Sequence, residues 1–157
     1  MRKIIGLSVI FLLLAGNTKA GNNENFLNMS VGYMFPRSYV ATLAFEHEFI
    51  YQQGFEVFAD YYNGYTSSKF NAIRQITGGI AYKLPIIRFK NSMVRFRGGL
   101  ECGSDMNKFI YGPELGLEYA VCVGSKLQIT LQQKNEFHFG ALRKFHSGFL
   151  IGLRIPL

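Results

Sequence analysis

The stretch FIYGPELGLEYAV, residues 109–121, decides the fold because it alternates almost throughout between two kinds of side chain. One parity carries large apolar residues, namely Phe109, Tyr111, Leu115, Leu117, Tyr119 and Val121. The other parity carries Gly112, Glu114, Gly116 and Glu118. Successive side chains of a β-strand point to opposite faces, so this pattern predicts a strand with one apolar face and one small or charged face.

Seven further segments alternate in the same way. They are Phe26–Phe35, Tyr39–Tyr51, Phe55–Tyr62, Arg74–Leu84, Met93–Cys102, Lys126–Glu136 and Phe145–Leu157. Leu150 is the exception in the last segment, where it interrupts the small and polar face. Most of these segments are roughly 9–13 residues long, whereas a strand of a soluble protein is typically about 5–6. The length fits strands that cross a bilayer at a tilt.

The predicted connections alternate between two sides of the sheet. One side has the turns Gln52–Gly54 and Cys122–Ser125 and a longer connection from Leu84 to Asn91. The other side has Pro36–Ser38 and three longer, polar loops, at 63–73, 103–108 and 137–144. Short turns on one side and longer loops on the other are typical of outer-membrane barrels. We therefore expect both termini to lie in the periplasm.

The charged residues favour a barrel over a soluble sheet. Fourteen of them fall on the small or polar face of a predicted strand: Glu46, Glu48, Glu56, Asp60, Lys83, Arg95, Arg97, Glu101, Glu114, Glu118, Lys126, Lys134, Glu136 and Arg154. In a membrane barrel the apolar face contacts lipid, and the narrow lumen holds the charges in pairs. The sequence predicts an all-β fold, a single antiparallel up-and-down transmembrane β-barrel of about eight strands. A periplasmic sandwich or a lipocalin-like barrel is the alternative, with the charges on a wet outer face.

The first twenty residues have the features of a secretory signal peptide. Arg2 and Lys3 precede an apolar run that is about 11–12 residues long, too short for a membrane helix, which needs about 20. Small residues precede the expected cleavage after Ala20. The prediction is a cleaved signal at 1–20 and a barrel domain at 21–157.

The composition excludes some functional classes. Cleavage of the signal peptide removes three of the 17 Lys and Arg residues. The remaining chain has 14 basic and 10 acidic residues, which gives a net charge of +4. These basic residues are not clustered on one element, so we expect no direct nucleic-acid binding. The two cysteines, Cys102 and Cys122, fall at opposite ends of one predicted hairpin, which predicts two unpaired thiols because a disulfide needs Cα atoms within about 7 Å.

We find no catalytic or cofactor signature. The three histidines, His47, His138 and His146, show no metal-ligand spacing, so no metal or other cofactor is expected. His146 and Ser147 are adjacent, so on a strand they face opposite sides and cannot pair directly as base and nucleophile. The prediction is a protein that is not an enzyme and has no small-molecule substrate.

The C-terminal segment is similar to the targeting strand of outer-membrane proteins, which alternates apolar residues up to the last position. Those residues here are Phe149, Ile151, Leu153, Ile155 and Leu157. Such strands usually end with an aromatic residue, and this chain ends with Leu157.

Several strand motifs carry a family resemblance. They are Thr77–Lys83, Arg97–Glu101, Phe109–Gly112 with Glu118, Gln133–Glu136, Gly140 with Lys144–Gly148, and Ile151–Arg154. On these residues, from about Ile76 onward, the chain resembles the conjugal transfer protein TraO family of Bacteroides-type conjugative elements. The resemblance covers about half of the chain and includes no catalytic signature.

The resemblance implies a structural component of a conjugative DNA-transfer apparatus, which is similar to type IV secretion. The implied partners are outer-membrane lipid and other proteins of that apparatus. Two alternatives stay open at this point. One is a small barrel of the adhesion or envelope-stress type, and the other is a barrel enzyme that modifies lipid A.

Overall fold

The computed structural model describes residues 24–36, 38–65, 72–105, 108–123, 127–141 and 143–157. The predicted signal peptide lies outside these residues. The described residues form eight strands: β1 Glu24–Phe35, β2 Ser38–Glu48, β3 Gly54–Tyr65, β4 Ala72–Arg88, β5 Ser92–Ser104, β6 Phe109–Val123, β7 Leu127–Phe137 and β8 Phe145–Pro156. Each strand is antiparallel to the next, and β8 pairs with β1. The predicted eight-stranded up-and-down barrel is therefore confirmed.

Closure pairs every strand on both sides. Met29 of β1, for example, lies opposite Leu43 of β2 and opposite Leu153 of β8. A closed barrel satisfies the backbone of all its strands and leaves no exposed edge, which is the condition for a sheet to cross hydrocarbon.

The barrel has two distinct ends. The last residues of β2, β4 and β6 and the first residues of β3, β5 and β7 lie at one end of the barrel, here called the turn end, together with Glu24 and Leu157. The last residues of β1, β3, β5 and β7 and the first residues of β2, β4, β6 and β8 lie at the other end, here called the loop end. The short connections are therefore on the side where the sequence predicts them.

Burial along the strands is inverted relative to a soluble protein. Polar and charged side chains point inward and are buried, whereas large apolar side chains point outward. In β6 the residues from Phe109 to Ala120 alternate regularly between exposed and buried. No helix among the described residues is long and apolar enough to cross a membrane.

The predicted second strand extends too far. Phe49 and Tyr51 were expected on its apolar face, but β2 ends at Glu48 and a 3-10 turn follows at Ile50–Gln52. Tyr51 and Gln52 have positive φ angles of 68° and 61°, which reverse the chain. The amide of Phe49 donates to the carbonyl oxygen of Gln53 at 2.7 Å and closes this turn.

The predicted fourth strand is too short. It was expected to end at Leu84, and Pro85 was expected to begin a long connection, but β4 continues to Arg88. The register shifts between Pro85 and Ile87, where Pro85 still pairs with Arg95. A bulge accommodates a residue that has no N–H to donate, so the proline interrupts the ladder without ending the strand.

Glycines on the inner face make room for the lumen side chains. A Cβ placed on Gly79 would lie 2.5 Å from Cζ of Phe58 and 2.9 Å from Cα of Glu101. Its neighbour Gly78 faces outward, and a Cβ there would meet only the carbonyl oxygen of Phe58, at an ordinary 3.5 Å. A side chain can therefore be accommodated at position 78 but not at position 79 without a shift of the neighbouring atoms.

We expect Gly79→Ala to lower the free energy of unfolding by about 1–3 kcal/mol, because the added methyl overpacks against the Phe58 ring and the β5 backbone. Gly78→Ala is the matched control and should change it by less than about 0.5 kcal/mol. Guanidinium titration of both variants in detergent micelles measures the difference. Equal effects of the two substitutions would show that this packing is wrong.

Candidate functional site in the barrel lumen

The candidate site is the chain of ion pairs that runs through the lumen. All the residues that the sequence assigns to this network are buried, apart from Lys126, which lies outside the described residues. Inward positions of β2 to β8 supply them, and the strand alternation brings them to one axis. Near the middle of the barrel, Asn28 of β1 donates to Glu46 and to Glu56, at 2.8 Å each.

Glu46 is the centre of the turn-end half. Lys83 Nζ lies 2.8 Å from its carboxylate, Arg95 Nη1 lies 2.5 Å away and Arg154 Nη2 lies 2.9 Å away. Glu46 itself is 0% exposed. Three cations from β4, β5 and β8 therefore converge on one carboxylate from β2.

Further carboxylates complete this half. Glu118 of β6 accepts from Arg95 Nε at 2.9 Å and pairs with Lys83 at 2.8 Å. Glu48 pairs with Arg154, which also donates to Gln128 at 2.8 Å. These contacts satisfy the guanidinium and ammonium donors that burial would otherwise leave unpaired.

Arg97 of β5 joins the two halves of the lumen. Its guanidinium donates to Glu56 at 2.9 Å and lies 2.6 Å from Glu114. Its Cζ lies 4.6 Å from the centroid of the Phe58 ring, and Nζ of Lys134 lies 4.8 Å from the same centroid. The buried Phe58 ring therefore makes a favourable cation–π interaction with each of the two cations.

The loop-end half contains one lysine among four acids. Lys134 pairs with Asp60, with Glu136 at 2.5 Å and with Glu114 at 3.2 Å. Glu136 also accepts from the Tyr62 hydroxyl at 2.5 Å. The fourth acid, Glu101, lies 2.6 Å from Nε2 of His138.

His138 follows directly after β7 and is buried. Burial by itself lowers the pKa of this imidazole, but the hydrogen bond to Glu101 and the charges of Glu101 and Glu136 outweigh it and raise the pKa above its ordinary value. Its Nδ1 lies 3.0 Å from the side-chain amide nitrogen of Gln75.

An apolar cluster occupies the lumen at the loop end. Leu150, which interrupts the polar face of β8, packs there with Met34, Val40 and Tyr62. Leu150 is therefore an inward apolar residue, and its position explains why the alternation fails in that segment. With eight strands the lumen is narrow enough for side chains to fill it.

Several lumen residues are not part of the predicted charge network. Asn28, Phe58, Tyr62, His138 and His146 are all buried inside the barrel. The alternation of β1 and β8 puts Asn28 and His146 on the polar face, and the alternation of β3 could have put Phe58 and Tyr62 there. His138 continues the inward parity of β7 but lies beyond the last predicted strand residue, so it was not assigned to the lumen.

The outer face is not uniformly apolar. Gln133 and Asn135 of β7 and Ser147 of β8 point outward near the loop end. Asn135 accepts from the Ser147 hydroxyl at 2.7 Å. Ser147 and His146 therefore lie on opposite sides of the barrel wall, as the sequence predicts, and they do not form a base–nucleophile pair.

The two cysteines are free and exposed. Cys102 lies opposite Tyr111 in the β5–β6 pair, and Cys122 lies opposite Gln128 in the β6–β7 pair. They are at opposite ends of the barrel, so the prediction of two unpaired thiols is confirmed.

The C-terminal residues assigned to a targeting strand form the outward row of β8 and its end. Phe149, Ile151 and Leu153 are exposed to the surroundings of the barrel, and Ile155 is half-buried. The amide of Leu157 donates to the carbonyl oxygen of Asn25 at 2.9 Å, just after the strand ends at Pro156.

Comparison with solved structures gives the same fold. A de novo designed transmembrane β-barrel is similar to this chain, with a TM-score of 0.54 and 14% sequence identity over 89% of this chain and 98% of the designed one. No protein-family model matches the chain, and no curated protein is significantly similar to it in sequence. The chain is a small closed β-barrel whose fold resembles that of transmembrane barrels.

Proposed function

We propose that this chain is a non-enzymatic outer-membrane β-barrel with a structural role in a conjugative DNA-transfer apparatus. The proposal of a membrane location rests on one observation. The ion pairs around Glu46 are enclosed by a barrel wall whose outer face is mostly apolar. A soluble barrel would have the opposite arrangement.

The outer surface supports insertion into a bilayer. Large apolar side chains are exposed on all eight strands, among them Val31, Leu43, Ile80, Leu100, Leu115, Leu131 and Ile151. A soluble monomer rarely exposes a contiguous apolar patch of more than a few hundred Å². Lipid is the partner that this surface fits. The signal expected at 1–20 and the closed antiparallel sheet favour the outer membrane, with both termini in the periplasm.

The filled lumen argues against a pore. Ion pairs occupy the axis, and the cluster around Leu150 occupies the loop end. A protein of this kind acts through its outer surface, loops and turns, which are the surfaces available to partner proteins. Structural anchoring at the outer membrane is consistent with that geometry.

The transfer role itself is supported by the resemblance to the TraO family. Its motifs lie in β4 to β8, apart from Gly140 and Lys144 between β7 and β8, and several of their residues are lumen residues, including Lys134, Glu136 and His146. These residues support the stability of the barrel, so the contacts with other transfer proteins belong to the loops and periplasmic turns.

Deletion of the gene from a conjugative element should reduce the frequency of DNA transfer by at least about 100-fold while growth is unchanged. Complementation with the wild-type chain should restore transfer, and so should the Cys102→Ser variant, which alters one exposed outward thiol. Mating counts and outer-membrane fractionation measure the two effects. Unchanged transfer without the gene would contradict the proposed role and would favour an adhesion or stress-type barrel.

A further inference from the structure

A second feature of the lumen lies at the loop end, where β7, the chain after it and β8 bring three possible metal ligands together. Glu136 Oε2 lies 3.9 Å from His138 Nε2 and 4.0 Å from His146 Nδ1. These three atoms all lie within 4.8 Å of one another. Glu101 of β5 is adjacent, with Oε1 at 2.6 Å from His138 Nε2.

Three polar atoms of this cluster have no hydrogen-bond partner among the described residues. They are His146 Nδ1, Glu136 Oε2 and Glu101 Oε2, and all three are buried. His146 is 3% exposed. A buried polar atom without a partner costs about 1–3 kcal/mol, and more when the group is charged. A bound ligand that accepts electron pairs from all three atoms would remove this cost.

The charge of the surrounding residues has the same implication. The carboxylates of Asp60, Glu101, Glu114 and Glu136 each place an oxygen within 4.8 Å of the others. Among the described residues, the cations that pair with them are Lys134, Arg97, which is shared with Glu56, and His138 when it is protonated, so four carboxylates face at most three cations. A buried excess of negative charge is stabilised by a cation.

We infer that this cluster binds one divalent transition-metal ion of the zinc class, held by Glu136, His138 and His146, with Glu101 as the fourth ligand. Two imidazoles and two carboxylates form a ligand set that suits Zn²⁺ and not Mg²⁺ or Ca²⁺, which prefer oxygen ligands throughout. The inference does not depend on the role in DNA transfer.

The ligand atoms must shift to reach a tetrahedral arrangement: two separations must shorten, and the 2.6 Å between Glu101 Oε1 and His138 Nε2 must lengthen. Tetrahedral Zn²⁺ with ligand distances of about 2.0–2.1 Å places its ligand atoms roughly 3.3 Å apart. The observed 3.9 Å and 4.0 Å separations are therefore several tenths of an ångström too wide. Rotation of the Glu136 and His146 side chains about their own bonds can supply this shift.

Neighbouring residues hold the two rings in place. The Tyr62 ring stacks on the His146 ring, with centroids 5.9 Å apart and planes 25° apart. Gln75 contacts Nδ1 of His138. With the Gln75 amide oxygen turned toward this atom, Nδ1–H donates to it and leaves Nε2 free to bind the ion.

A small cavity lies beside His146 at the loop end. Its volume is about 10 Å³, and Ser38, Tyr62, Gln75 and His146 form part of its wall. A cavity of this size has room for about one water-sized sphere. Once bound, the ion would connect the end of β7 and the start of β8 to β5.

The test uses the full chain, purified from membranes in detergent without a polyhistidine tag and stripped of metal with a chelator. We expect Zn²⁺ to bind at one equivalent in calorimetry and to raise the melting temperature. We expect Co²⁺, used as a spectroscopic probe, to show the intense visible absorption of a four-coordinate site. His146→Gln should weaken Zn²⁺ binding by about 100-fold or more, since even loss of an outer-shell partner costs about 10–100-fold.

The matched control is His47→Gln, since His47 lies near the turn end and contacts Asn25 at 2.7 Å, outside the cluster. This variant should bind Zn²⁺ as the wild type does. Equal binding by His146→Gln, or no binding by the wild type, would overturn the inference. If His146→Gln does not fold, the Co²⁺ spectrum of the wild type decides, and a six-coordinate spectrum would overturn it.

Discussion

Replacement of Glu46 by Gln is expected to lower the free energy of unfolding by about 3–5 kcal/mol, the range seen when one partner of a buried ion pair is removed. Glu46 is fully buried and contacts Lys83, Arg95 and Arg154. The amide keeps the shape of the side chain but leaves three buried cations with less negative charge near them. All three cations are 0% exposed, so bulk solvent does not stabilise that excess of positive charge.

Equilibrium unfolding in detergent micelles measures this effect. Glu24→Gln is the control, since Glu24 is an exposed acid at the start of β1 and should contribute less than about 1 kcal/mol. The double variant Glu46→Gln/Arg154→Gln should lose less free energy of unfolding than the two single variants together, because the charges of Glu46 and Arg154 interact directly. A loss below 1 kcal/mol for Glu46→Gln would contradict a network enclosed in the lumen.

We expect the second large loss of stability from the substitution Leu43→Arg. Leu43 points outward from the middle of β2, opposite Met29 and Ala59, and is 54% exposed. An arginine at the bilayer midplane costs a transmembrane barrel about 2–4 kcal/mol, whereas the same residue near an interface costs about 0–1 kcal/mol.

Tyr39→Arg is the matched variant for depth, because Tyr39 lies on the same outward row of β2, near the loop end. Folding into lipid vesicles followed by denaturant titration should give a clearly larger loss for Leu43→Arg than for Tyr39→Arg. Similar small losses at both positions would mean that the outward row of β2 faces water.

Strand parity accounts for most of what the sequence could predict. Glu114 and Glu118 fall on one parity of β6, and their carboxylates lie inside the barrel. The number of strands and their antiparallel order follow from the same alternation and from the short connections. These features depend on local pattern alone, which is why a single sequence contains them.

The errors occurred where tertiary context overrides that pattern. Pro85 suggested the end of β4, but the β5 strand pairs with the residues beyond it and the bulge absorbs the proline. Tyr51 continues the alternation on the apolar side of β2 and was therefore predicted to belong to the strand, although its backbone has a positive φ and forms a turn. The bulge interrupts the alternation at Ile86 and Ile87 although the strand continues, and the turn at Tyr51 leaves the alternation intact although the strand has ended, so parity gave the wrong bound at both places.

The metal-ligand cluster could not be predicted from spacing. Glu136 and His138 share the parity of β7, but His146 comes from the next strand and Glu101 from β5. Only closure of the barrel brings them together. Sequence motifs for metal sites describe ligands that are close along the chain, and this cluster is assembled across the lumen.

The outward direction of the apolar residues can be measured directly. In a background with Cys102→Ser and Cys122→Ser, a fluorophore is attached to a single cysteine at Leu43, Leu115 or Ile151, and the barrel is folded into vesicles. We predict that lipids with brominated chains quench the fluorescence at all three positions and that iodide in the buffer does not. Quenching by iodide, with no effect of the brominated lipids, would contradict the account.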